Sequence, residues 1–285
     1  MKAIYLSPKG TFSEKALMLA WEAFSLPGAF DKAKWCSAEN NRDVLPLLKK
    51  SKVPAVAILA MHTLANGRLT PSFEDLSDLC DTTGISVVGA IEIPISFALL
   101  AGRKRKEFEG IIAHKEGIAA CRSFIKSLNV KVKEADSNAL AAKLVAENPV
   151  YKAFRALASP DCANIYKQLD IIRERCEDSE ARTMFYILKK DLDIPATDTN
   201  KWRAVLVLDL KNVAGSLVEV LLPFAKAGIN MVHIHPMYAH HGNYRFLIEV
   251  EGSQSDLLSF DNAVAQIRTS SKRLSVFGPF PLVRL

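Results

Sequence analysis

The strongest constraint on this chain is an alternation. Short apolar, β-branched runs are separated by stretches of helical period from the first residues to about residue 190. Lys2–Ser7, Val53–Ala60, Ser86–Ile95, Glu109–Ala113, Val130–Ala135, Ala153–Ala158 and Thr183–Leu188 read as strands. Glu14–Phe24, Glu116–Leu128, the alanine-rich Asn138–Ala146 and Asp161–Leu169 read as helices. This order predicts an α/β fold with mostly parallel sheets, whose ligand sites lie at the carboxyl ends of strands.

The alternation stops at Lys189–Lys201. There Asp191, Asp193, Pro195, Thr197, Asp198, Thr199 and Asn200 leave no apolar period, as in a linker. It then restarts as strand Trp202–Leu210, helix Ser216–Ala227, strands Asn230–His235 and Tyr244–Val250, helix Ser255–Ile267 and strand Leu274–Phe280. That βαββαβ order is ferredoxin-like. The 285 residues thus divide into a unit over 1–190 and a second over 200–285.

Composition removes several classes of function. No apolar stretch approaches the ~20 residues that a membrane-crossing helix needs. The opening Met1–Ser7 is too short in its apolar part for a signal peptide, and a cytoplasmic protein is expected. Five widely spaced cysteines (Cys36, Cys80, Cys121, Cys162, Cys176) form no CxxC pair, which argues against structural disulfides and thiolate zinc. The net charge of +6 arises from scattered basic residues. The one dense run, Arg103-Lys104-Arg105-Lys106, lacks an RNA-binding signature and reads as a solvated loop, so no nucleic-acid partner is expected. His233 and His235 share a strand face with His240 and His241 nearby, but no cysteine or carboxylate joins them at a metal-binding spacing. No metal is assigned.

One local pattern carries chemistry. Pro8-Lys9-Gly10-Thr11-Phe12-Ser13 links a strand to a helix: Gly10 permits a tight bend, and Thr11 or Ser13 can cap the helix. Such a start is either a seat for a carboxylate or phosphate, or a plain helix cap.

Ser7-Pro8-Lys9-Gly10-Thr11-Phe12-Ser13 resembles the GPxGTFS opening of prephenate dehydratases, with Ser7 in place of the first glycine. Val87 to Ile95 is similar to their IVGE-x-x-L-x-I segment, and His114 to Phe124 to their SHPQ…QC-x-x-F helix. Thr183-Met184-Phe185 stands where they carry Thr-Arg-Phe. Trp202–Leu285 resembles their ACT domain, with Asn212–Val218 at the GALV turn and Val276–Pro281 near the end.

The resemblance implies a two-lobed catalytic domain like a periplasmic binding protein, followed by a ferredoxin-like ACT domain. Lobe one would hold about 1–79 and 175–190, and lobe two about 80–174. It implies a carbon–oxygen lyase of phenylalanine biosynthesis that turns prephenate, a small carboxylate, into phenylpyruvate without a cofactor. Thr183 takes the catalytic position, with Arg182 and His114 assisting. Gly10, Thr11, Phe12, Ser13, His62, Thr63 and Phe185 are implied as substrate contacts. Gly215, Ser216 and Leu217 are implied to hold an amino-acid effector, and the ACT domains to pair as a homodimer or homotetramer.

The departures from that pattern are also specific. The family's ENS turn falls on Met61-His62-Thr63; Ala113 and Ala120 replace a serine and a glutamine; Met184 replaces an arginine. All four apolar replacements are expected to empty one pocket. Arg182 shares a strand face with Met184 and either reaches into the cleft in its place or stays at the surface. The effector motif ESRP is His235-Pro236-Met237-Tyr238, which predicts weak phenylalanine binding. Besides the dehydratase, two other functions fit: decarboxylation without aromatisation or use of another cyclic acid, and a non-catalytic acid-binding protein.

Overall fold

The computed structural model describes residues 1–27, 35–63, 68–69, 84–194, 197, 199–237 and 244–285. Cys80, Tyr238, His240 and His241, and the lobe boundary near residue 80, lie outside them, as do Pro195 and Asp198 of the linker. The elements run β1 (Lys2–Leu6), α1 (Phe12–Ala23), β2 (Trp35–Ala38), α2 (Asn41–Lys50), β3 (Ala55–Thr63), β4 (Arg68–Leu69), β5 (Ile85–Ile95) and β6 (Ala98–Gly102). They continue with β7 (Gly110–Ala113), α3 (Lys115–Ala120), α4 (Arg122–Leu128), β8 (Lys131–Glu134), α5 (Asn138–Glu147), β9 (Phe154–Ala158), α6 (Asp161–Ile165), β10 (Leu169–Arg173) and β11 (Ala181–Lys190). The C-terminal part is β12 (Lys201–Leu210), α7 (Ser216–Lys226), β13 (Asn230–Met237), β14 (Tyr244–Ser253), α8 (Leu257–Ser270) and β15 (Arg273–Arg284).

These elements build two sheets. A ten-stranded sheet runs β13-β14-β12-β15-β5-β11-β3-β1-β2, with β4 on β3; a five-stranded sheet runs β10-β6-β9-β7-β8. The chain passes from the first to the second at Ser96–Phe97 and returns between Arg173 and Ala181. Glu177 secures this double crossing by accepting from the Phe97 amide at 2.8 Å and the Ser96 hydroxyl at 3.0 Å. The large sheet is continuous because β15 serves two partners: Arg273–Pro281 pairs with β12, and Leu282–Arg284 runs parallel to β5.

The strands around β11 are buried on both faces. Val56, Ile58, Ile91, Phe185 and Ile187 pack on one side with α1, through Leu17, Ala20 and Phe24. Leu59, Met61, Met184, Tyr186 and Leu188 pack on the other, against Val205, Val207, Leu247 and Phe280 of the C-terminal strands. This second face decides several site assignments below.

The helix expected over 116–128 is two helices. Residue Cys121 leaves helical geometry (φ −112°, ψ 29°), and the Asp178 carboxylate accepts from the Ser123 amide at 3.0 Å, starting a new helix. The expected helix Asp161–Leu169 ends at Ile165 and is followed by β10. Strand β2 is too short to show a period, and α2 carries Pro46 in its interior, so neither announces itself in sequence.

Candidate active site

Between the sheets lies a cleft of about 470 Å³. It forms where strands end. Leu6 (β1), Ala60 (β3) and Ile95 (β5) reach it from the first sheet; His114 after β7, Asp136 after β8 and Ser159 after β9 reach it from the second. Helices begin at the same edge, so the cleft is lined by the starts of α1 (Thr11, Phe12, Ser13), α2 (Asn40, Asn41) and α5 (Ser137, Asn138, Ala139). Each start carries the positive end of a helix dipole. The surface thereby suits a carboxylate.

Local chemistry fixes these starts. Thr11 caps α1 by accepting from the Glu14 amide at 3.1 Å, and its hydroxyl donates to the Leu6 carbonyl at 2.7 Å. The Glu14 carboxylate folds back to accept from the Gly10 amide at 2.6 Å. Phe12 and Ser13, the first two residues of α1, line the cleft. Ser137 caps α5 at 3.0 Å from the Leu140 amide, while Asn138 accepts from the His114 amide at 2.9 Å.

Two cleft residues, Thr183 and His114, bear a hydroxyl and an imidazole. Thr183, near the start of β11, lines the cleft with its backbone paired to Thr63 and Ile93. His114 caps α3, its Nδ1 accepting from the Glu116 amide at 3.4 Å. Burial lowers its pKa, outweighing the opposite pull of Glu116. The imidazole is therefore neutral near pH 7, with the proton on Nε2 as the tautomer that this bond requires.

The two sheets also touch. Cys162 and Tyr166, at α6 on the second sheet, bond the turn of the first: Cys162 Sγ lies 3.5 Å from the Gly10 carbonyl and Tyr166 Oη 3.3 Å from that of Lys9. Lys15 and Asp161 add an ion pair at 3.0 Å. Burial pushes the Cys162 thiol up to about 12, so it acts as a donor and not as a nucleophile.

The cleft thus gathers Gly10, Thr11, Phe12, Ser13, His114, Thr183 and Phe185. It does not include Arg182 or His62. Alternation along β11 turns residues 182 and 184 to the face opposite Thr183, and that face is the one covered by the C-terminal strands. Arg182 there meets the Glu92 carboxylate at 3.6 Å, donates to the Glu92 carbonyl at 3.4 Å and reaches the main-chain oxygen of Leu285. Of Thr63 only the backbone is described.

The expectation that four apolar replacements empty one pocket is corrected in the same way. Met61 and Met184 are buried toward the C-terminal strands, and Ala113 and Ala120 pack in the core around α4. None lines the cleft. Its polar wall comes instead from Asn40, Asn41, Ser137, Asn138 and Ser159, which the sequence reading passed over. Their signal was present: each stands at a helix start just after a strand.

His62 belongs to a buried cluster. Its Nε2 lies 3.2 Å from Glu249 Oε2 and 3.2 Å from Arg203 Nη1. Glu249, fully buried, also accepts from Arg203 at 2.9 Å and from the Tyr186 hydroxyl at 2.6 Å. Burial alone would raise the Glu249 pKa, but the bond from His62 and the charge of Arg203 hold it below the ordinary carboxylate value. Arg203 pairs further with Glu251 at 3.0 Å, which also meets Arg284 at 2.6 Å.

A second cavity, about 240 Å³, lies in the C-terminal part. Gly215 (φ +90°), Ser216 and Leu217 line it with Lys211, Tyr244 and Phe246. Gly215 starts α7 in the left-handed region that glycine tolerates best. Among the described residues no group of three or more His, Cys, Asp or Glu is placed to hold a metal. No helix among them is long and apolar enough to cross a membrane.

Comparison with known proteins agrees with this architecture. The prephenate dehydratase of Methanocaldococcus jannaschii is 25% identical over 283 residues, covering 98% of this chain and 97% of that protein. Among solved structures, the prephenate dehydratase of Arthrobacter aurescens in complex with L-Phe superimposes with a TM-score of 0.79 at 23% identity, over 99% of this chain and 90% of that one. GqqA, described as a novel type of quorum quenching acylase, gives 0.78 at 22% identity over 99% and 98%, a likeness of fold alone. The family model for prephenate dehydratase matches residues 3–192, and the chain belongs to that family.

Proposed function

We propose that this chain is a prephenate dehydratase-like lyase of amino-acid biosynthesis, which converts prephenate to phenylpyruvate in the cleft between the sheets. The observation that carries the reading is the convergence of the α1, α2 and α5 starts on the same cleft as Thr183. The helix starts hold the substrate's carboxylates. The Thr183 hydroxyl donates to the departing ring hydroxyl while the ring carboxylate leaves as carbon dioxide. The C–C bonding pair moves into the ring as the C–O bond breaks, and the ring becomes aromatic. That driving force lets modest proton donation suffice. Neutral His114 supplies a further donor at the cleft wall. The test is direct: full-length protein with prephenate should release phenylpyruvate, and its failure to do so at any pH from 6 to 9 overturns the reading.

One observation favours a second reading within the same chemistry. Lys115 is the single lysine or arginine among the described cleft residues, against Glu39, Glu116 and Asp136. A cyclic acid with less negative charge than prephenate meets this wall more favourably. A higher kcat/KM for such an acid distinguishes it.

We further assign residues 1–190 to the catalytic part and 200–285 to an ACT-type regulatory module whose second cavity takes an amino-acid effector. The protein acts in the cytoplasm. Among the described residues strand β13 lies at the end of the large sheet, where a second copy can continue it. A dimer or tetramer is expected, and light scattering at tens of micromolar that gives a monomer contradicts it.

A further inference from the structure

In a regular strand Ala60 and His62 would share a face and Met61 would take the other. Strand β3 departs from this beside Thr183. Along the β3–β11 ladder Phe185 pairs with Ala60 and Met184 with His62, so Met61 is the extra residue of a bulge. Ala60 lines the cleft, whereas Met61 and His62 both turn to the face covered by the C-terminal strands. Bulges of this kind re-aim side chains next to active sites.

The bulge is held from two sides. On the cleft side, the Asn41 side chain donates to the Ala60 carbonyl at 3.0 Å and accepts from its amide at 3.4 Å. On the far side, Glu249 of β14 bonds His62 of β3 and Tyr186 of β11 at once, and Arg203 balances its charge. His62 and Tyr186 flank the bulge on its two strands, and Thr183 is the next residue but two before Tyr186. A buried, satisfied network of this kind fixes one geometry where apolar packing would tolerate several.

We propose that Glu249, supplied by the C-terminal part, is a positioning residue for Thr183: by holding His62 and Tyr186 it sets the bulge and hence the direction of the Thr183 hydroxyl. The proposal rests on the dehydratase reading for its kinetic measure. It makes the C-terminal part a support behind β3 and β11, on the face opposite the cleft.

The test compares Glu249→Gln, His62→Ala and Tyr186→Phe with Trp202→Phe. The Trp202 indole donates to the Ser253 carbonyl at 2.6 Å and packs on Phe260, so its loss weakens the C-terminal part without touching β3 or β11. After correction for folded fraction, the three network variants should lose on the order of tenfold in kcat on prephenate with KM changed by less than about threefold. Amide exchange over residues 182–186 should quicken in them and not in Trp202→Phe. Unchanged kcat and exchange in the network variants, or equal losses in Trp202→Phe, overturn the proposal. A wild type inactive on prephenate sinks the dehydratase reading instead. Amide exchange then decides alone: faster exchange confined to the network variants supports positioning, and no difference from Trp202→Phe refutes it.

Discussion

Replacing Arg203 by methionine separates the charge of the buried cluster from its shape. In the wild type, Glu249 sits fully buried with Arg203 2.9 Å away. Breaking a buried pair from one side costs about 3–5 kcal/mol, because it strands the other charge. Here Tyr186 and His62 still donate to Glu249, and Glu251 keeps Arg284. That places the loss near the lower limit, about 3 kcal/mol, or a fall in Tm of roughly 6–12 °C for a chain of this size. The pH dependence carries the sharper signature. The wild-type carboxyl has a lowered pKa, so its contribution is complete above the unfolded value and is lost only as pH falls through the folded one. Without Arg203 one of the causes that lower the Glu249 pKa is gone, and burial moves it upward from its wild-type position. The cost of losing Arg203 is then largest at high pH, where Glu249 is charged, and shrinks as pH falls and the carboxyl takes up its proton. Thermal unfolding followed by tryptophan fluorescence between pH 5 and 8 measures both. Arg203→Met should gain in Tm relative to wild type as pH drops from 8 to 5. A Tm equal to wild type, or a parallel pH profile, refutes the reasoning.

Two further perturbations follow. Gly10→Ala places a Cβ 2.7 Å from Cys162 Sγ at φ +95°, so it should cost about 1–2 kcal/mol for the backbone alone and raise KM by forcing the sheets apart; a Cys162→Ala second change should restore part of the loss, and no loss in Gly10→Ala contradicts the contact. Calorimetry with phenylalanine should show no micromolar binding, because His235-Pro236-Met237-Tyr238 stands where the resemblance would place ESRP; micromolar affinity would mean that the Gly215 cavity suffices.

Much of this architecture is legible in the residues. The apolar runs of Val53–Ala60 and Thr183–Leu188 mark central strands, and Gly10-Thr11 marks the cap that opens the cleft. Sequence parity also separates Thr183 from Arg182 and Met184 correctly, but parity does not say which face is the cleft. That depends on where the C-terminal strands dock, through the shared β15, and no local pattern records it. The bulge at Met61 is equally silent, since it arises from contacts with Asn41 and Glu249 far away in the chain. His62 therefore looked like a cleft residue and is a buried partner of Glu249.

The most direct test of the account is the kcat of Thr183→Ala and Thr183→Ser on prephenate, read as phenylpyruvate formed. Losing a positioned proton donor typically costs 10²–10⁴-fold, and the account predicts a drop in that range for alanine with KM little changed, while serine, which keeps the hydroxyl, retains most of the rate. Equal rates for wild type and Thr183→Ala would contradict it.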